Sequence, residues 1–155
     1  MKAGQGFTIL ELSIVLMIIG LLAVFAYPTY VESIQRGNRN DVQAAMTQIA
    51  QRLETWKNTN HGYGGLTASM LTNANIYGST SFPASGTALY TLALVPQDGN
   101  GDGGMDGWVL TATPIAGKRQ DNNGIVVLND QGQRCWDNNA ASVCTPSATT
   151  TWATK

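Results

Sequence analysis

From Phe7 to Ala26 the chain runs through 20 residues of mostly Ile, Leu, Val, Met, Ala and Phe, apolar on every side of a helix. At about 1.5 Å per residue, such a helix is roughly 30 Å long, the thickness of a bilayer core. Three fates fit the stretch. It is a membrane span, or a cleaved secretory signal with Lys2 as a thin positive region and Val24-Phe25-Ala26 as a small-residue processing site, or a core helix buried on all sides. The long apolar run and the acid inside it, Glu11, favour the span over the signal. A soluble domain of this size rarely encloses a 20-residue helix that is apolar all round.

Past Pro28 the pattern changes. Over Thr29–Asn58, Val42, Ala45, Met46, Ile49, Ala50, Leu53 and Trp56 recur at three- and four-residue steps, one apolar stripe on a helix. Arg39, Asp41, Gln43, Gln48, Gln51, Arg52 and Glu54 fall on the other face. That division predicts a helix half embedded in a globular head and half wet. The run from Asn58 to Gly62 stops it with residues that favour turns and helix C-caps. Further on, Leu89–Val95, Trp108–Thr113 and Ile125–Leu128 are β-rich and separated by turn formers. An antiparallel sheet with one apolar face would cover the helix stripe, so the expected class is α+β, a roll from which the long helix protrudes.

A chain of 155 residues suits one domain plus an anchor. Only 12% of residues are charged, and nine Lys/Arg nearly cancel ten Asp/Glu, so composition writes in no strong pull towards nucleic acid or acidic lipid. The two cysteines, Cys135 and Cys144, have no Cys/His companions for a structural zinc site and read more simply as one disulfide, given an oxidising compartment. Charge orients the span poorly: Lys2 precedes it, and Arg36 and Arg39 follow it. The cysteine pair and the low-charge, Gly/Asn/Thr-rich body point to export.

The segment Gly6-Phe7-Thr8-Ile9-Leu10-Glu11 resembles the class III signal of type IV pilins and type II secretion pseudopilins: a short polar leader ending in Gly, then Phe-Thr-x-x-Glu and an apolar helix. The resemblance implies that prepilin peptidase cuts between Gly6 and Phe7 and methylates the new N-terminus at Phe7. It implies that residues 1–6 are a removed leader, 7–28 a transmembrane and filament-core helix, 29–60 an amphipathic stem, and 61–155 a β-rich head. Glu11 would then serve as an assembly register. A carboxylate among apolar helices is costly unless paired, and the cut supplies an amine that a neighbouring subunit can bring to it. The plainer alternative leaves Glu11 near the headgroups with no partner. Gly20 and Pro28 weaken the helix between them, and in this family the stretch often loosens on packing into a filament; a simple span exit at Pro28 is the other reading.

The likeness narrows at Asn38–Tyr63, which resembles the stem of PilE-like minor pilins, and extends loosely to Ala88–Leu94, Trp108–Pro114 and Leu128–Trp136. Cys135 and Cys144, enclosing eight residues, resemble the disulfide-bounded C-terminal loop of pilins. One departure is that many PilE-like heads have a Cys near the stretch that is Asn123–Leu128 here, where this chain has none.

Candidate chemistry in the head is sparse. In Gln97–Gly107, Asp98, Asn100 and Asp102 match the first half of an EF-hand loop, but the twelfth position is Val109 instead of a bidentate Glu. An irregular calcium site on Asp98, Asn100, Asp102 and Asp106 is one reading, and a Gly/Asp-rich hairpin tip is the favoured one. His61 has no acid or Cys constellation around it and reads as a surface residue. No catalytic set and no cofactor site emerge. Arg36, Arg39, Lys118 and Arg119 would bind DNA if clustered, but acids offset them and aromatics do not interleave with them, so nucleic acid is not an expected partner.

The expected protein is therefore a structural pilin subunit, a minor one, held in the inner membrane with its head in the periplasm and then built into an extracellular pilus. Its partners would be other pilins, prepilin peptidase and the assembly machinery, in the service of biogenesis, twitching, adhesion or DNA uptake. A type II secretion pseudopilin and a membrane-anchored extracytoplasmic binding protein are the rival readings.

Overall fold

The computed structural model describes residues 6–99, 101–137 and 143–153. The chain divides into two compact units, residues 1–37 and 38–155. Helix α1, Ile9–Asn60, contributes to both and is unbroken at Gly20 and Pro28. In the first unit it begins with a cap. The Thr8 hydroxyl oxygen accepts from the Glu11 backbone N–H at 3.2 Å, and the Thr8 carbonyl accepts from Leu12 N–H at 3.2 Å. Thr8-x-x-Glu11 thus has the spacing of a capping box, with the acid in the first turn where the helix dipole favours it. Its apolar side chains, Phe7 to Tyr30, are exposed, and the helix is long and apolar enough to cross a membrane.

In the second unit α1 buries Val42, Met46, Ile49 and Leu53, four members of the expected stripe. The helix ends where the turn formers predict. His61 takes φ 60° and Gly62 N–H reaches back to the Lys57 carbonyl at 3.0 Å, a Schellman-type closure with His61 in the left-handed position.

Five antiparallel strands form one sheet in chain order: β1 Ser81–Phe82, β2 Tyr90–Gln97, β3 Gly107–Pro114, β4 Ile125–Asn129 and β5 Arg134–Asp137. β2, β3 and β4 are the three expected strands, and the class is α+β as expected. Alternation along β2 sends Tyr90, Leu92 and Leu94 into the core with the helix stripe, and leaves Thr91, Ala93 and Val95 outside. β4 is buried on both faces. Val126 and Leu128 join the helix-side core, while Ile125 and Val127 form a second cluster with Cys135, flanked by Val109 and Cys144. Cys135 and Cys144 are disulfide-bonded. That bond seats a covering segment on the outer face of β4 and explains why its pattern reads as a continuous apolar run.

Candidate functional sites in the N-terminal segment and the head

In the first unit, Gly6 and Phe7 precede the cap, and Phe7 is 86% exposed. Nothing lies within 4 Å of where a Gly6 side chain would begin. The carboxylate-bearing turn, the exposed residues 6–8 before it and the exposed apolar surface are therefore all accessible to an enzyme or to other chains. Arg36, one of the four cations considered for DNA, pairs with Glu32 at 2.6 Å one helical turn away.

The head's polar groups are organised around the ten-residue loop between β3 and β4. Arg39 does not lie on the wet helix face as expected; it is only 6% exposed. Its guanidinium donates to Asn123 Oδ1 at 2.9 Å and lies 3.9 Å from the Trp136 ring centroid. A planar cation can be buried this way because the indole face and the amide oxygen replace part of its water. Asn123 Nδ2 and the Tyr90 hydroxyl both donate to Gln120 Oε1, the latter at 2.9 Å, and Trp136 Nε1 donates to the Asn123 carbonyl at 2.9 Å. Burial pushes the Tyr90 phenol up to about 12, partly countered by the Arg39 charge. Gly124, at φ 72°, closes the loop so tightly that a Cβ there would overlap the Asp137 backbone carbonyl.

Lys118 and Arg119 sit exposed at the crest of the same loop. Elsewhere, Arg52 donates to the Ile76 carbonyl at 2.9 Å, and Lys57 lies 3.8 Å from Glu54 and 4.7 Å from the Tyr63 ring centroid. Arg134 stacks over Trp152 at 4.9 Å, beside an open groove of about 630 Å³ lined also by Gln133, Ser147 and Thr151. The turn between β2 and β3 uses its acids on itself. Asp98 accepts from Gly101 and Gly103 N–H at 2.6 and 2.9 Å, and Asp102 accepts from Gly104 N–H at 2.7 Å. Asn100 lies outside the described residues. Among the described residues, no group of three or more His, Cys, Asp and Glu converges as a metal ion would require.

Residues 1–27 match the prokaryotic N-terminal methylation motif, and residues 28–135 match the family described as type IV minor pilin ComP, DNA uptake sequence receptor. The chain belongs to the ComP family of type IV minor pilins. No curated protein matches it. Membership turns the resemblance at Gly6–Glu11 and at the stem into a pilin assignment and sets aside the pseudopilin and the anchored binding protein. It also runs against the expectation that nucleic acid is no partner, since the description of this ComP-type family names a DNA sequence. The physical weakness of that expectation is visible in the head. Net charge says nothing about local placement, and aromatics do accompany cations in space, Trp136 with Arg39 and Trp152 with Arg134, although not in sequence. The residues that sequence reading of this ComP-type head missed are Gln120, Asn123 and Tyr90. The dipeptide Asn123-Gly124 signalled a turn, but nothing local signalled a buried hydrogen-bond chain.

Proposed function

We propose that this minor pilin is the DNA-receiving subunit of a type IV pilus, a structural rather than catalytic protein. The observation that carries the reading is the abutting pair of matches, a methylation motif over 1–27 and the ComP minor pilin family over 28–135. On this reading prepilin peptidase cuts between Gly6 and Phe7 and methylates Phe7. The span 7–28 holds the subunit in the inner membrane with its head in the periplasm. Assembly then moves the same apolar surface into the filament core, where Glu11 meets the Phe7 amine of a neighbour and the helix loosens between Gly20 and Pro28, which lacks the N–H for an intrahelical bond. The capped geometry at Thr8 supports this order of events, because the dipole of α1 keeps the Glu11 carboxylate favourable before any neighbour arrives. DNA uptake is preferred here over twitching or adhesion because the family description names DNA.

Three measurements test the reading. Intact mass of the protein from sheared pili should correspond to a chain starting at N-methyl-Phe7, and a product starting at Tyr27 would sink it. Deleting the protein should lower DNA uptake while filaments are still made, and unchanged uptake would leave a pilin without the receptor role. Glu11→Ala should insert into the membrane normally yet be scarce in filaments; undiminished incorporation would refute the register role.

A further inference from the structure

The loop between β3 and β4, residues 115–124, is long for a connection between neighbouring antiparallel strands. It is nevertheless tied down along its length. Ile115 N–H bonds the Leu89 carbonyl at 2.9 Å, Lys118 N–H the Ile115 carbonyl at 3.2 Å, Asp121 N–H the Lys118 carbonyl at 2.9 Å, and Asn123 N–H the Gln120 carbonyl at 3.0 Å. Asp121 Oδ2 accepts from Gly117 N–H at 2.9 Å. Below the crest, the fully buried Gln120 anchors to Tyr90, and Asn123 anchors to Arg39 on α1. Burying an amide and a guanidinium is unfavourable compared with a short apolar turn, and a satisfied polar chain of this kind fixes position. What it holds in place is the backbone under two adjacent exposed cations, Lys118 and Arg119.

We infer that this loop is the element of the head that meets the phosphate backbone of duplex DNA, with Lys118 and Arg119 as contacting residues and Arg39, Asn123, Gln120 and Tyr90 as positioning residues beneath them. The inference rests on the DNA-receptor reading above. A preorganised loop loses less freedom on binding, so two phosphate contacts from it are worth more than two from a loose segment. Contacts of this kind carry no base readout. They should operate on any duplex and weaken with salt.

The test is fluorescence anisotropy of a labelled random-sequence duplex with the full-length processed protein in non-ionic detergent, over about 20 to 200 mM salt. Wild type should bind with a negative slope of log K against log salt. Lys118→Ala with Arg119→Ala should bind about tenfold more weakly at low salt and flatten the slope by about 2. Exchanging the two, Lys118→Arg with Arg119→Lys, should keep the slope. Tyr90→Phe removes one buried hydrogen bond while leaving the ring in the core. It should lower the unfolding midpoint by only a few degrees, leaving the head folded at the assay temperature, and keep the slope but lose affinity several-fold, which a purely structural role would not produce. Unchanged affinity in Tyr90→Phe overturns the positioning role. If the double alanine variant binds like wild type while Arg134→Ala weakens binding, the loop assignment is wrong and the receptor reading stands. If wild type itself does not bind duplex, both fall.

Discussion

One helix is written in two styles. Over residues 9–28, α1 is apolar on nearly every side, with Glu11 as its one charge, and its large side chains are exposed. Over 38–60 it is apolar on one stripe, and that stripe, Val42, Met46, Ile49 and Leu53, is fully buried in the core of its own unit, which strand residues share with Tyr63, Leu66, Leu71 and Ile76. The difference shows what each part is for. The second part already has its partner and gains its stability within the chain, through burial worth roughly 1.5 to 3 kcal/mol per large side chain. The first part exposes apolar surface that water tolerates poorly, so its partner is a bilayer or another subunit.

The largest expected effect falls on the head alone. Gly124→Ala puts a Cβ into the Asp137 backbone carbonyl at a positive φ, and neither backbone can give way cheaply. It should cost more than about 4 kcal/mol and leave the head unfolded in denaturant titration, with the membrane-inserted fraction unchanged. The comparison is sharpest with paired truncations. Leu53→Ala should destabilise the head by about 2 to 5 kcal/mol, whereas Leu16→Ala should change it by less than about 0.5 kcal/mol; equal effects would break the distinction between the two parts of α1. Replacing Cys135 and Cys144 with Ser should lower head stability by about 2.5 to 3 kcal/mol on the chain-entropy model, and reductant should then have no further effect.

The smallest effect concerns pH. Burial raises the Tyr90 phenol from 10 to about 12, so the folded head holds a proton that the unfolded chain releases first. The stability this contributes is complete below pH 10 and is lost as pH rises from 10 through about 12. Tyr90→Phe should show a shallower loss across that window in unfolding experiments. Tyr63 and Tyr77 are raised as well, mainly by burial, and keep part of the slope.

Features with a local period were legible. The apolar run, the three-and-four stripe and the alternation of β2 lie within single segments, so they mark a helix long and apolar enough to cross a membrane, its amphipathic continuation and three strands before any contact is known. The Thr8 cap is equally local, since its hydroxyl accepts from the Glu11 backbone three residues on and the Thr-x-x-Glu spacing of a capping box is legible in the sequence. β1, with two residues, is too short to carry a period, and β5 gains its identity only by pairing with β4.

The amino-acid sequence by itself determined where the membrane-competent helix lies, the N-terminal methylation motif that overlaps its start and the face of the amphipathic segment that is buried in the head, because each follows from neighbours a few residues apart. Only the tertiary structure decided the fate of Arg39. Its partner Asn123 is 84 residues away, and the Trp136 ring is further still. A charged residue on the polar side of a helix reads as wet until distant chain supplies an amide and an indole to replace the water. The same long-range closure places Gln120 under Lys118 and Arg119 and turns a loop between strands into a fixed platform.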